Sequence, residues 1–88
     1  MIYIYTKANC LYCTKAKKLL TENNMSYEER VIEKRGDKIH KELMLMDPKA
    51  TMVPQIFDCP FGSIQAEHVG GYEDLVEWIK IVDEIDKE

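Results

Sequence analysis

Between Ile2 and Ile32 the apolar pattern changes period twice. Ile2 to Thr6 is β-branched and aromatic with no charge before Lys7, which predicts a short central strand. From Leu11 to about Asn23 the pattern turns helical. Ala16, Leu19 and Leu20 fall at i, i+3 and i+4, Lys15, Lys17 and Lys18 take other faces, and Asn23-Asn24 supplies a stop. Tyr27 to Ile32 reads as a second strand, and Glu28 and Glu29 place it toward a sheet edge. A strand, a helix and a strand within about 30 residues form a βαβ unit, whose strands are expected to run parallel with a right-handed crossover.

At the first strand-to-helix turn stands Cys10-Leu11-Tyr12-Cys13. The first N–H groups of a helix have no intrahelical partner, and the aligned peptide dipoles leave partial positive charge there, so a thiolate at that end is stabilised. Cys10 is therefore the candidate nucleophile, and Cys13, inside the first turn, is expected to be the more buried. About one helical turn separates them, close enough to close a disulfide with little backbone movement. The same spacing also serves zinc half-sites or two unrelated core residues, so the motif alone leaves redox and zinc chemistry open.

The remaining composition narrows that choice. At 88 residues the chain is expected to form one domain spanning 1–88. No stretch approaches the roughly 20 apolar residues of a membrane span. The apolar start is broken at Lys7, too early for a secretory leader, so a cytoplasmic location is expected. In that compartment a C-x-x-C pair is catalytic or metal-binding more often than structural. Three cysteines exclude a four-thiolate zinc site within one chain, and neither His40 nor His68 has a spacing that completes a mixed one. Cys59, in the turn Asp58 to Gly62, reads as an incidental thiol, open to oxidation or intermolecular pairing where exposed.

Charge is uneven. Residues 1–50 hold ten Lys/Arg and seven Asp/Glu, net +3, whereas residues 51–88 hold two and nine, net −7, which together make the chain's −4. The acidic half argues against nucleic-acid binding. Lys7, Lys15, Lys17 and Lys18 surround the dithiol; a solvated helix face accounts for most of them, and Lys7 is near enough to help hold an anion or a thiolate.

Further on, Asp37 is a reasonable N-cap for a helix with Ile39, Leu43 and Met46 at i, i+4 and i+7, ended by Asp47-Pro48. Met44 and Met46 read as gap-filling core. Thr51 to Phe57 reads as a strand with a proline near its start; proline cannot donate to a ladder, so it belongs at a strand beginning or irregular edge, where its peptide bond can be cis. After the Asp58 to Gly62 turn, Ile64 to Val69 is expected to pair back as a hairpin strand, broken by Gly70-Gly71. From Tyr72 an amphipathic helix presents Leu75, Val76, Ile79, Val82 and Ile85, with Trp78 in the packing. The expected fold is α/β, a four-stranded mixed sheet with three helices in the order β-α-β-α-β-β-α.

Three separated features then converge: the C-x-x-C after the first strand, Val53-Pro54-Gln55-Ile56-Phe57, and His68-Val69-Gly70-Gly71-Tyr72 leading into Glu73-Asp74-Leu75. Together, over essentially the whole chain, they resemble the glutaredoxins, small dithiol oxidoreductases of the thioredoxin-like fold. The resemblance implies a glutathione site. Cys10 matches the attacking cysteine and Cys13 the resolving one. Lys7 matches a lysine associated with the thiolate and a glutathione carboxylate, and Tyr12 the aromatic beside the second cysteine. Val53 is expected to offer its backbone N–H and C=O to the cysteinyl part of glutathione, with Pro54 keeping that backbone free. Gly70 and Gly71 let the chain turn and a ligand approach, and Glu73 and Asp74 match the positions at the γ-glutamyl end. Three positions depart from the family pattern: Leu11 where proline is commonest, Met52 where threonine is usual, and Glu73 where small or neutral residues are common.

The implied activity is glutathione-dependent thiol–disulfide exchange by a monomer without a tightly bound cofactor. Its partners are expected to be glutathione and disulfide-containing or glutathionylated proteins, not nucleic acid or a membrane. Ribonucleotide reductase is a frequent partner of the family, although no residue here selects it. Two alternatives keep the fold: a thioredoxin-like reductase recharged by a flavoprotein reductase, and a carrier in which two chains share a [2Fe–2S] cluster through Cys10 and glutathione.

Overall fold

The computed structural model describes residues 2–49, 52–58 and 68–86, of which 83–86 by backbone alone. In chain order the elements are β1 (Ile2–Lys7), α1 (Leu11–Glu22), β2 (Tyr27–Ile32), α2 (Lys38–Met46), β3 (Gln55–Phe57), β4 (His68–Gly70) and α3 (Tyr72–Asp86). The strands form a sheet ordered β2-β1-β3-β4. β1 and β2 are parallel, and the other two pairings are antiparallel. The central place of β1 and the edge place of β2 are those expected from their charge content.

β1 is central because both its faces are covered. Successive side chains of a strand point to opposite faces. Ile2 and Ile4 pack with Ala16 and Leu20 of α1, Ile56 of β3 and Leu75 of α3. Tyr5 goes to the other face with Phe57 and Leu43 of α2, its ring edge-on to Phe57 at 5.9 Å. The Tyr5 hydroxyl donates to Glu42 Oε1 at 2.6 Å and lies 3.2 Å from Met46 Sδ, so this buried polar group is satisfied. Met44 and Met46 fill the margin of that cluster, as expected.

Local chemistry sets the helix ends. The Asp37 carboxylate caps α2 by accepting the His40 N–H at 2.7 Å and also takes the N–H groups of Glu33 and Lys34, which folds the β2–α2 turn around one side chain. α1 stops at Glu22, where Asn23 accepts the role of C-cap and Asn24 adopts φ +56°.

Two boundaries differ from expectation. The strand expected over Thr51 to Phe57 contains only Gln55–Phe57; Met52 and Val53 form a bend and the Val53–Pro54 bond is cis. Pro54 has no N–H to place in a ladder, so pairing begins after it. The last strand includes Gly70, which had read as its break, because Gly70 still pairs with Ile56. Residues 64–67, the 59–62 turn with Cys59, and Thr51 lie outside the described residues, as does the side chain of Ile85. Leu75 of α3 is buried, and Trp78 and Ile79 pack beside it. Among the described residues no helix is long and apolar enough to cross a membrane.

Candidate active site

β1 delivers the chain to the amino end of α1, and Cys10 is the N-cap of that helix. Its backbone is extended (φ −106°, ψ 109°), and its carbonyl already accepts the Thr14 N–H at 3.1 Å. The Cys13 N–H, one of the helix's unpaired donors, points at Cys10 Sγ from 3.2 Å. No acidic residue occupies the first turn of α1, so nothing there opposes negative charge on that sulfur. The two cysteines are joined as a disulfide with Cα atoms 5.2 Å apart. They are not equivalent: Cys10 is half-buried, whereas Cys13 is 2% exposed. Only the first sulfur can meet a partner without unfolding the helix.

Facing Cys10 is the bend before β3. Val53 O lies 3.8 Å from Cys10 Sγ. In the bridged state that sulfur carries no proton, so this is a packing contact; a reduced thiol in the same place has a carbonyl to donate to. Pro54 is buried, and its carbonyl lies 3.8 Å from where a Cβ on Gly71 would stand, so the strand-to-helix turn passes close to the cis-proline bend. Asp74 Oδ2 accepts the Gly71 N–H at 3.0 Å, half of a capping box at the start of α3. Gly70 has φ +118°, and a Cβ there would run into the Asp74 carboxylate. Glycine is required at that position by both conformation and space.

The residues singled out from sequence are placed as follows. Cys10, Cys13, Val53 and Pro54 come together, with Gly71 and Asp74 beside Pro54. Tyr12 is 52% exposed, and its ring lies 5.8 Å from that of Tyr72, linking the first turn of α1 to the start of α3. Glu73 is exposed. Lys7 is exposed and lines a cleft with Val53 on the far side of the bend. The lysines expected around the dithiol disperse. Lys17 pairs with Glu29 at 3.0 Å, Lys18 lies 3.9 Å from Glu22, and Lys15 sits over the Tyr12 ring at 5.2 Å.

Several contributors carried no sequence signal, because they depend on distant segments meeting. Gln55 donates Nε2–H to Met52 O at 3.0 Å and presents Oε1 to His68 Nε2 at 2.6 Å. The His68 ring stacks on Phe57 at 4.7 Å, and its Nδ1 lies 3.7 Å from Asp47. This chain of contacts ties the bend to β4 and to the end of α2. On the opposite face the buried Thr6 hydroxyl donates to Glu29, which also receives Lys17. Burial raises the pKa of Glu29, but these hydrogen bonds and the Lys17 charge outweigh it and hold the carboxyl below its usual range.

The family model for glutaredoxin matches residues 2–61. Glutaredoxin 3 of Escherichia coli is 40% identical over 74 residues, covering 84% of this chain and 80% of that protein. The chain belongs to the glutaredoxin family. Glutaredoxin 1 of Rickettsia prowazekii is 39% identical over 74 residues, covering 84% of this chain and 72% of its own length. Among solved structures, glutaredoxin 1 from Francisella tularensis superposes with a TM-score of 0.69 at 28% identity, covering 93% of this chain and 95% of the other. Glutaredoxin from Brucella melitensis gives 0.62 at 27%, covering 98% and 84%. The thioredoxin-like fold and the bridged Cys10–Cys13 pair make this glutaredoxin-family chain a thiol–disulfide oxidoreductase.

Proposed function

We propose that this chain reduces glutathione mixed disulfides and protein disulfides at the expense of glutathione, with different work for its two sulfurs. The observation that supports this most is the half-buried Cys10 Sγ at the α1 N-cap, 3.8 Å from Val53 O, with Cys13 buried behind it. A cis-proline bend beside an accessible sulfur leaves backbone N–H and C=O groups for strand-like pairing with a cysteinyl peptide, a recognition mode indifferent to side chains.

Cys10 thiolate attacks the glutathionyl sulfur of a mixed disulfide. The Cys10–glutathione disulfide forms, the protein–glutathione disulfide breaks, and the substrate leaves as a thiolate that takes a proton from water. A second glutathione thiolate then attacks that mixed disulfide, releasing oxidised glutathione and restoring Cys10 thiolate. With a protein disulfide, Cys13 displaces the reduced substrate, and two glutathione molecules carry off the electron deficit as their own disulfide. The unpaired N–H groups and partial positive charge at the α1 N-terminus favour the thiolate as the attacking form of Cys10. The proposed glutathione contacts are Tyr12, Glu73 and Asp74 on one side of the bend and Lys7 on the other, Asp74 with one carboxylate oxygen already committed to Gly71. Ribonucleotide reductase is a candidate protein substrate of the second route.

The test is the electron source. Oxidised protein is incubated separately with glutathione and with NADPH plus thioredoxin reductase, and free thiols are counted. Reduction by glutathione is the expected outcome; reduction by the flavoprotein alone overturns the glutathione reading and leaves the thioredoxin-like one.

A further inference from the structure

We infer that the cleft on the Lys7 side of the dithiol is a docking site for an acidic segment flanking the disulfide of a protein substrate. The inference rests on the thiol–disulfide exchange proposed above, and it adds what selects the substrate.

The cleft has a volume of about 670 Å³ and opens where the parallel pair β1–β2 ends, between α2 and the bend that carries Met52 and Val53. The carboxyl ends of parallel strands are where open α/β sheets take their ligands. Its rim brings together four cations from three separate segments: Lys7 at the end of β1, Lys34 and Arg35 in the β2–α2 turn, and Lys49 after α2. All four are exposed, and none has an ion-pair partner among the described residues. Among the described residues Glu33 is the one carboxylate lining the cleft. Asp37, four residues on, spends its oxygens on the N–H groups of Glu33, Lys34 and His40. That cap fixes the turn bearing Lys34 and Arg35, so less ordering cost falls on binding.

Four unpaired cations gathered around one cleft are notable in a chain of net charge −4. Like charges on one rim repel in the absence of a ligand, and a bound carboxylate relieves that repulsion. The floor is apolar: Leu43 is buried and Ile32 and Met44 are half-buried. At the mouth Met52 leaves 72% of its surface exposed, a flexible thioether able to pack against varied side chains. Carboxylates on the rim and an apolar side chain on the floor describe an acidic peptide, not a free anion.

Position ties the cleft to the chemistry. Val53 lines it and also contacts Cys10 Sγ through its carbonyl. A peptide bridged to Cys10 and paired along Val53 advances about 3.3 Å per residue, so its next two or three residues reach the cleft. On the other side of Pro54, Glu73 and Asp74 repel an acidic segment. The two sides therefore also set the direction in which a substrate chain lies.

The experiment uses protein pre-reduced with dithiothreitol and desalted, so that a single turnover needs no glutathione. Two peptide disulfides of identical sequence are compared, except that the three residues flanking the cysteine on one side are Glu in one and Lys in the other. The acidic peptide is expected to react about tenfold faster at low salt, with the advantage shrinking as salt rises. The Lys34→Glu, Arg35→Glu, Lys49→Glu triple variant is expected to lose that advantage, while its rate with hydroxyethyl disulfide stays at the wild-type value and certifies the fold. A triple Gln variant should fall between the two. Equal rates for the two peptides in the wild type, a preference that survives charge reversal, or no reaction with either peptide overturns the inference. Failure of glutathione to recycle the enzyme overturns the proposed reductant and leaves the single-turnover comparison standing.

Discussion

Gln55 holds the carbonyl of Met52 at 3.0 Å through its side-chain amide, and so braces from inside β3 the bend that sets Val53 opposite Cys10. Its amide oxygen in turn meets His68 on β4. Gln55→Leu keeps the side-chain bulk and removes both contacts. Each neutral hydrogen bond lost costs about 1 kcal/mol of stability, whereas misplacing the backbone proposed to pair with substrate lowers kcat/KM by about tenfold. Steady-state kinetics on a peptide disulfide, alongside urea unfolding, separates the two. A variant with wild-type kcat/KM shows that the brace does not position the bend.

Unequal burial of the two sulfurs predicts unequal mutants. Cys10→Ser removes the accessible sulfur and should abolish both deglutathionylation and protein-disulfide reduction. Cys13→Ser should keep deglutathionylation and lose the reduction of protein disulfides, and it should accumulate a mixed disulfide with its protein substrate that mass spectrometry can identify. Equal loss from both substitutions refutes the division of work.

Glu29 makes stability depend on acid. Its folded pKa is lowered, because the hydrogen bonds from Thr6 and Lys17 and the Lys17 charge outweigh the cost of burial. A carboxylate with a depressed pKa adds stability above its unfolded value, and this is lost as pH falls through the folded one. Glu29→Gln should therefore be less stable than wild type at neutral pH, and the gap should close as pH drops below about 4.5, the carboxyl's ordinary value. Thr6→Val, which deletes the buried donor with little change in shape, should cost about 1 kcal/mol at pH 7. Urea unfolding across this range reads both.

Gly70→Ala tests the turn into α3. At φ +118° an alanine is strained, and its Cβ displaces the Asp74 carboxylate from the Gly71 N–H. The expected cost is about 2 kcal/mol, visible as a lowered Tm, together with a raised KM for glutathione.

What could be read from the chain was what local chemistry decides. The β1-α1-β2 crossover, the Asp37 cap and the exposure of Cys10 over Cys13 follow from periodicity, a capping side chain and a helix terminus, each of which acts within a few residues. Met52 and Val53 look like strand residues by type, but Pro54 has no ladder donor and pairing waits until Gln55. The lysines of α1 keep to the solvated helix face that accounts for most of them, and the cations that do gather come from segments far apart in sequence. Lys17 is drawn to Glu29 across the α1–sheet boundary, while Lys34, Arg35 and Lys49 arrive beside Lys7 from elements that only the sheet order brings together. Gln55 with Met52 and Tyr12 with Tyr72 were invisible for the same reason.

Among the described residues the order β2-β1-β3-β4 leaves one row of backbone groups without a strand partner on each rim of the sheet, an invitation to any extended chain. On one rim Glu28, Glu29 and Arg30 stand in succession along β2, so an added strand would have to bring complementary charges in register. On the other, β4 ends at Gly70, whose positive φ turns the chain away. Under the proposed function, strand-like pairing belongs at the bend beside Cys10, and these borders discourage it elsewhere, where capture would produce aggregates in place of turnover.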